Sequence, residues 1–209
     1  MMIEMTTEFK PRLKKPTQAR SIATFSNILN AATAVVVERG IQGLNTNIVA
    51  ERAGVNIGTV YHYFPDKNAI LIELFRLDQV QRSVYLLNKL NELPTAPDLT
   101  TWSHELFDLV RRLRHEHPTT AVMRRAFHSV PELVEIDNDN TTETSNHVAR
   151  LLCERFTSLD DERAHYAARL LVETTIAIMD SELAEGPESG AFFEEALHLI
   201  NTYLGVIEQ

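Results

Sequence analysis

The spacing of apolar residues along the chain predicts helices throughout. Between residues 21 and 39, apolar side chains recur at steps of three and four, which places them on one face of a helix, and Gly40 follows as a stop. Comparable patterns cover 45–52, 57–64, 67–90, 99–116, 119–128, 133–157, 161–185 and 189–207. Alternating, strand-like runs are no longer than a few residues, so the pattern predicts an all-α fold.

The two short predicted helices, 45–52 and 57–64, form a helix-turn-helix pattern. Gly54 lies between them and can adopt the positive φ that a sharp turn requires. Val49, Val60 and Phe64 can share a core with the preceding helix, which would hold the second short helix rigidly. The opposite face of that helix is then free to contact a partner.

That free face has the composition of a DNA-reading surface. It presents Gly58, Thr59, Tyr61 and His62, which are small or hydrogen-bonding and include no acidic side chain. Lys67 opens the next predicted helix, where a cation opposes the helix dipole, so a bound phosphate would explain its position. The alternative is that this lysine extends into solvent.

The last two predicted helices carry more apolar surface than one neighbour can cover. The helix at 161–185 is apolar nearly all round, and the helix at 189–207 has a broad apolar stripe. Packing against a symmetry mate in a homodimeric four-helix bundle would cover both helices. The alternative is that they are the central helices of a monomer.

The charge is unevenly divided between the two parts of the chain. The net charge is -9 overall, but residues 1–67 carry +3 and the remainder carries -12. This division suggests a basic segment that meets a polyanion, attached to an acidic body. A chance fluctuation with a basic, disordered tail would give the same numbers.

Several classes of protein are disfavoured by what the sequence lacks. No apolar run is long enough to span a bilayer, and no signal-peptide pattern follows the N-terminus, so we expect a cytoplasmic protein without membrane contact. We find no Ser/His/Asp set, Cys/His pair or metal-ligand spacing, and therefore expect no catalytic residues, no metal and no cofactor. An all-helical enzyme is the rival interpretation on this point.

Residues 20–75 resemble the DNA-binding region of the TetR/AcrR family. The motifs that carry the resemblance are Ile28-Leu29-Asn30-Ala31-Ala32, Gly40, Ile48-Val49-Ala50-Glu51-Arg52-Ala53-Gly54-Val55, Gly58-Thr59-Val60-Tyr61-His62-Tyr63-Phe64 and Lys67-Asn68-Ala69-Ile70-Leu71. The resemblance implies an N-terminal three-helix helix-turn-helix DNA-binding domain and a C-terminal helical domain for ligand binding and dimerisation. The implied boundaries are 1–19 for a flexible basic arm, 20–66 for the DNA-binding domain and 67–209 for the second domain, with 67–92 as a connecting helix.

The resemblance further implies a repressor that binds a double-stranded DNA operator as a homodimer through its last two helices and is relieved by a small-molecule effector. The implied DNA-binding residues are Thr46, Asn47, Ile57, Gly58, Thr59, Tyr61, His62 and Lys67. Two of them depart from the common pattern. Ile57 stands where relatives often have a polar or basic residue, and it either touches a thymine methyl or packs. Asn47 stands where a basic residue is sometimes found, so a phosphate contact there is expected to be weaker.

The candidate ligand-binding residues lie in the second domain: Trp102, Phe107, Phe127, Asn140, Thr144, His147 and Glu173. Asn140, Thr144 and His147 interrupt an apolar face at helical spacing, and a ligand would give these polar groups partners. The alternative is that residues 137–146 are frayed or exposed. A second functional hypothesis is a nucleoid or cell-division factor that binds DNA and a protein partner without an inducer, with a filled core that contains no cavity.

Overall fold

The structure, a computed structural model, describes residues 16–116, 130–185 and 190–208. Its helices are α1 (Ala19–Arg39), α2 (Thr46–Ala53), α3 (Ile57–Tyr63), α4 (Lys67–Leu90), α5 (Leu99–Glu116), α6 (Pro131–Arg155), α7 (Asp161–Glu185) and α8 (Gly190–Ile207), with short 3-10 turns at Ile41–Gly43 and Leu93–Thr95. No strand occurs in the described ranges, which confirms the all-α prediction. The helix predicted at 119–128 lies outside the described residues.

The long helices follow the predicted boundaries closely, and the largest difference concerns α6. This helix begins at Pro131, two residues before the predicted start, because proline needs no hydrogen-bond acceptor in the first turn. It continues without a break to Arg155, and Ile136 and Ser145 are buried. Residues 137–146 are therefore helical and not frayed, although Asn138, Asp139, Thr142 and Asn146 are exposed.

The chain divides into two compact units, Met1–Leu74 and Phe75–Gln209, which we call the head and the body. The division falls within α4, eight residues beyond the boundary expected at 66/67. Ile70 and Leu71, in the first turns of α4, are fully buried, so this end of the helix contributes to the core of the head.

The core of the head holds α1, α2 and α3 together. Val49 and Val60 are fully buried between the helices. The ring of Phe25 stacks on that of Phe64 with 5.1 Å between centroids. The amide Nδ2 of Asn27 donates to the carbonyl oxygen of Ala53 at 2.6 Å and so ties α1 to the end of α2. By length and composition alone α1 could cross a bilayer, but its buried side chains belong to this core.

The turn between α2 and α3 depends on Gly54. This residue has φ 64° and ψ 31°, the left-handed conformation expected from the sequence, and its N–H donates to the carbonyl oxygens of Ala50 and Glu51. Asn56 then caps α3, because its Oδ1 accepts a hydrogen bond from the N–H of Gly58 at 2.7 Å. Asn45 caps α2 in the same way by accepting from the N–H of Asn47 at 2.8 Å.

We expect Gly54→Ala to destabilise the head by about 1–2 kcal/mol, since an L-residue pays that cost in the left-handed region. A Cβ at this position would meet no atom within 4 Å, so backbone conformation alone sets the penalty. Gly205→Ala is the matched control, because Gly205 lies within α8 and a Cβ there would likewise meet no atom within 4 Å. Alanine in a helix interior should stabilise by about 0.5–1 kcal/mol. Urea denaturation of both variants measures the difference, and equal shifts would contradict the role given to Gly54.

The core of the body is formed by α5, α6, α7 and α8. Phe107 of α5 packs edge-on against Phe193 of α8, with 5.9 Å between ring centroids. The Oγ of Ser103 donates to Oδ1 of Asn201 at 2.6 Å and joins the same two helices. The indole Nε1 of Trp102 donates to the carbonyl oxygen of Lys89 at 3.1 Å, which fixes the end of α4 against α5.

Candidate nucleic-acid interface and ligand cavity

The outer face of α3 is uncovered in the head. Val60 is fully buried and anchors the helix, whereas Tyr61 is 51% exposed. Gly58 and His62 are also exposed, and Ile57 and Thr59 are half-buried. The helix therefore presents a face that combines hydrogen-bonding groups with a small apolar patch.

Thr46 and Tyr61 form one unit at the edge of this face. The Oγ1 of Thr46 lies 3.2 Å from the hydroxyl of Tyr61, within hydrogen-bond distance. Thr46 itself is buried. Asn47, the next residue of α2, is exposed beside it. The sequence predicted Thr46 and Tyr61 as DNA-binding residues but gave no sign of the hydrogen bond between them.

A concave surface joins the start of α2, the side of Tyr61 and the start of α4. Lys67 lies on it and is exposed, and Asp66 caps α4 by accepting a hydrogen bond from the N–H of Ala69 at 2.8 Å. The first turn of α4 contains no acidic residue. A lysine at a helix start is suited to a phosphate oxygen.

The Arg52 guanidinium is committed to an ion pair within the head. Its two terminal nitrogens donate to the carboxylate of Glu38 at 2.7 and 2.5 Å, a bidentate geometry. The hydrogen bond from Arg52 holds the pKa of Glu38 below its usual value. The pair therefore fixes the end of α2 to α1.

The body contains a partly open cavity of about 170 Å³ lined by α4, α5, α6, α7 and α8. Four of the candidate ligand-binding residues line this cavity: Trp102, Phe107, Asn140 and Thr144. Most of the remaining wall is apolar: Leu86, Leu90, Leu93, Leu106, Val110, Val148, Leu152, Leu171, Val172, Ile176, Ile200 and Leu204. An apolar cavity with a few polar groups on its wall is the usual form of a small-molecule site.

His147 and Glu173 do not line this cavity, in contrast to the expectation from the sequence. The His147 ring accepts a hydrogen bond at Nδ1 from Arg150 at 3.0 Å, and its Nε2 lies 2.9 Å from Oδ1 of Asn91. Burial and the neighbouring Arg150 lower the pKa of His147. Glu173 is exposed and accepts a hydrogen bond from Nε of Arg169 at 2.8 Å. Phe127 lies outside the described residues.

Charged residues on the cavity wall were not predicted from the sequence. Arg82 and Arg114 line it, and their side chains are only 14% and 5% exposed. Arg82 pairs with Asp78 one turn earlier in α4 at 2.7 Å, and Arg114 pairs with Asp180 of α7. The four-residue spacing of Asp78 and Arg82 was a signal that could have identified the first pair.

Both parts of the chain match models of known protein families. Residues 28–74 match the model for bacterial regulatory proteins of the tetR family, and residues 98–204, about half of the chain, match the tetracyclin repressor-like C-terminal domain. An HTH-type transcriptional regulator of Mycobacterium tuberculosis is 26% identical over 189 residues, covering 87% of this chain and 94% of the relative.

Two further similarities are shorter or more distant. The fatty acid metabolism regulator of Bacillus subtilis is 34% identical over 74 residues, but these span 35% of this chain and only 38% of that protein. The crystal structure of a TetR-family regulator from Mesorhizobium loti superposes with a TM-score of 0.69 at 18% identity, covering 91% of this chain and 97% of that one. Since a family model covers each part of the chain, the protein belongs to the TetR family of bacterial transcriptional regulators.

Proposed function

We propose that this regulator is a homodimeric repressor in the cytoplasm, and that it releases its DNA operator when a small molecule occupies the cavity of the body. The observation that carries the proposal is the combination of an uncovered α3 in the head with a largely apolar cavity in the body. The tetracyclin repressor-like match of residues 98–204 supports repression and an effector.

In the proposed complex α3 lies in the major groove of DNA. The base edges are contacted by the residues of α3 on the side opposite the buried Val60. These residues are Ile57, Gly58, Thr59, Tyr61 and His62. Asn47 and Lys67 contact backbone phosphates from the starts of α2 and α4. Thr46 acts indirectly by holding the hydroxyl of Tyr61.

A second copy of the chain covers the exposed apolar residues of α7 and α8. Tyr166 and Leu170 of α7 are 64% and 52% exposed and lie one turn apart. Phe192, Leu199 and Val206 of α8 follow one another at intervals of seven residues, which is one face of the helix, and are 45%, 60% and 50% exposed. When these faces pair around a two-fold axis, the two helices of each copy form a four-helix interface. The dimer then has two heads, one for each of two operator half-sites about 34–36 Å apart.

The effector and the operator are linked through the two states of the dimer. If the occupied cavity favours a state that fits the operator poorly, DNA must weaken effector binding by the same factor, a coupling typically of about 1–3 kcal/mol. A nucleoid or cell-division factor without an inducer would be expected to have a filled core. The cavity of about 170 Å³ counts against that alternative.

Tyr61→Ala tests the proposed reading face. We expect the variant to bind its operator roughly 5- to 150-fold more weakly, because loss of a base-reading side chain costs about 1–3 kcal/mol. Gel-shift titration with DNA that flanks the regulator's own gene measures the affinity, at one fixed salt concentration. Tyr61→Phe removes only the hydroxyl that pairs with Thr46 and is expected to give an intermediate loss.

Val37→Ala provides the matched control, because Val37 is 43% exposed on α1 of the same head. It should leave operator affinity unchanged. Operator binding by Tyr61→Ala at the level of this control would show that α3 does not read the DNA through the face assigned to it.

A further inference from the structure

A pair of charged residues interrupts the exposed apolar face of α7. Tyr166 and Leu170 are 64% and 52% exposed on this helix. Glu173 follows Tyr166 at an interval of about two helical turns and therefore shares its face. Arg169 lies one turn before Glu173, at the edge of that face, and the two side chains are 65% and 51% exposed in the single chain. A partner that covers the apolar face of α7 must therefore also meet these charges.

The hydrogen bond within this pair leaves the fork of the arginine available. Nε of Arg169 donates to Oε1 of Glu173 at 2.8 Å, and the two terminal nitrogens donate to no residue of the described chain. Arg52 in the head, by contrast, uses both of its terminal nitrogens on Glu38. Two parallel N–H donors on a planar group match the geometry of a carboxylate. Arg169 can therefore bind a second carboxylate without releasing the first.

The exposed side of α8 carries the opposite charge. This helix contains no lysine or arginine, and its charged residues, Glu194 and Glu195, are both exposed. Glu195 stands one turn before Leu199 and so lies beside the exposed apolar stripe of α8. Glu194 lies about 100° further round the helix, away from that stripe. A surface that covers the stripe must therefore supply a cation to Glu195.

These charges distinguish between two ways of pairing the faces in a dimer. If α8 packed on α8 of the second copy, carboxylates of both copies would approach each other, and neither helix would supply a cation. If α7 packs on α8 of the second copy, Arg169 can approach the partner's Glu195, and the two-fold axis repeats the contact. Only the second arrangement is electrostatically complementary.

We propose that Arg169 of each copy binds the partner's Glu195 through its terminal nitrogens when the dimer forms. The two symmetry-related ion pairs orient α7 across α8 of the second copy. They also favour a second copy of this chain over another protein with an apolar surface, because such a protein would cover Glu195 without giving it a cation. This contact rests on the proposed homodimer and adds to it the residues that select the partner.

Exchange of the charges between the two positions tests the contact. We expect Arg169→Glu and Glu195→Arg each to raise the dissociation constant of the dimer about tenfold, as measured by sedimentation velocity with the full chain. The double variant Arg169→Glu/Glu195→Arg restores opposite charges across the interface and should return the constant to within about threefold of the wild-type value. It retains the repulsion that Arg169→Glu creates with Glu173 inside α7, so recovery must come from position 195.

Glu194→Arg provides the matched control, because Glu194 is exposed and adjacent in sequence but lies away from the apolar stripe. The double variant Arg169→Glu/Glu194→Arg has the same net charge as the first double variant, so a general effect of charge would rescue both. We expect no recovery at position 194. Equal recovery of the two double variants overturns the proposal, as does a dimer that Arg169→Glu weakens but Glu195→Arg does not.

The wild-type chain in the same experiment separates this contact from the proposed function. If the wild type forms a dimer whose dissociation constant does not respond to Arg169→Glu, the homodimeric repressor stands and the ion pair is wrong. If the wild type remains monomeric over the whole range of concentrations, the proposed homodimer fails and the ion pair fails with it.

Discussion

Phe64→Ala is expected to unfold the head and abolish operator binding, the largest effect of any single substitution proposed for the head. Phe64 is fully buried and stacks on Phe25 at 5.1 Å. Truncating a buried phenylalanine costs about 3–5 kcal/mol, which is comparable with the whole stability of a small domain, about 5–15 kcal/mol. Because the body has its own core, its helices should persist. Circular dichroism during urea denaturation, together with gel shifts, measures both effects.

Ile22→Ala is the control for this experiment, since Ile22 is 46% exposed on α1. A substitution of this kind is expected to change stability by no more than about 0.5 kcal/mol. If Phe64→Ala destabilises the protein no more than Ile22→Ala does, the ring of Phe64 is not the centre of the packing in the head.

Leu199→Glu is expected to dissociate the dimer. Leu199 lies in the middle of the exposed apolar face of α8 and is 60% exposed in the single chain. In a two-fold interface the substitution introduces two carboxylates, one from each copy, that would be buried without partners. We expect the dissociation constant of the dimer to rise at least about a hundredfold, which corresponds to roughly 2.8 kcal/mol. Sedimentation velocity over a range of concentrations measures this constant.

Val37→Glu places the same charge on an exposed apolar position of the head and should leave the dimer intact. Operator affinity should fall for Leu199→Glu as well, because one head contacts only one half-site. A stable Leu199→Glu dimer would exclude this face and direct attention to other exposed apolar residues, such as Val80 and Val84 of α4.

The fold of the head could be predicted from the sequence because its signals are local. Gly54 defines the turn and takes the left-handed conformation, and Asn45 and Asn56 cap the helices that follow them. Each of these features acts over two to four residues. Helical spacing likewise predicted α4, α5 and α7 to within about two residues of their observed ends.

The ligand cavity could be predicted only in part, because its wall depends on contacts between distant segments. Asn140 and Thr144 were found as polar interruptions of an apolar face, and both line the cavity. His147 shares the same spacing, but its partner Asn91 lies 56 positions away, and periodicity carries no information about such a contact. Arg82 and Arg114 were missed because arginines are usually solvated and their burial depends on tertiary partners.

The cap at the start of α3 limits which positions can be varied to change the DNA sequence that the protein recognises. The side-chain oxygen of Asn56 is committed to the N–H of Gly58, and a Cβ at position 58 would approach that oxygen to 3.2 Å. Any side chain placed there must push against the cap that begins the helix. His62 is exposed, and its side chain does not cap the helix in the described structure. A library that retargets the protein to new DNA should therefore vary position 62 first and keep 56 and 58 as they are.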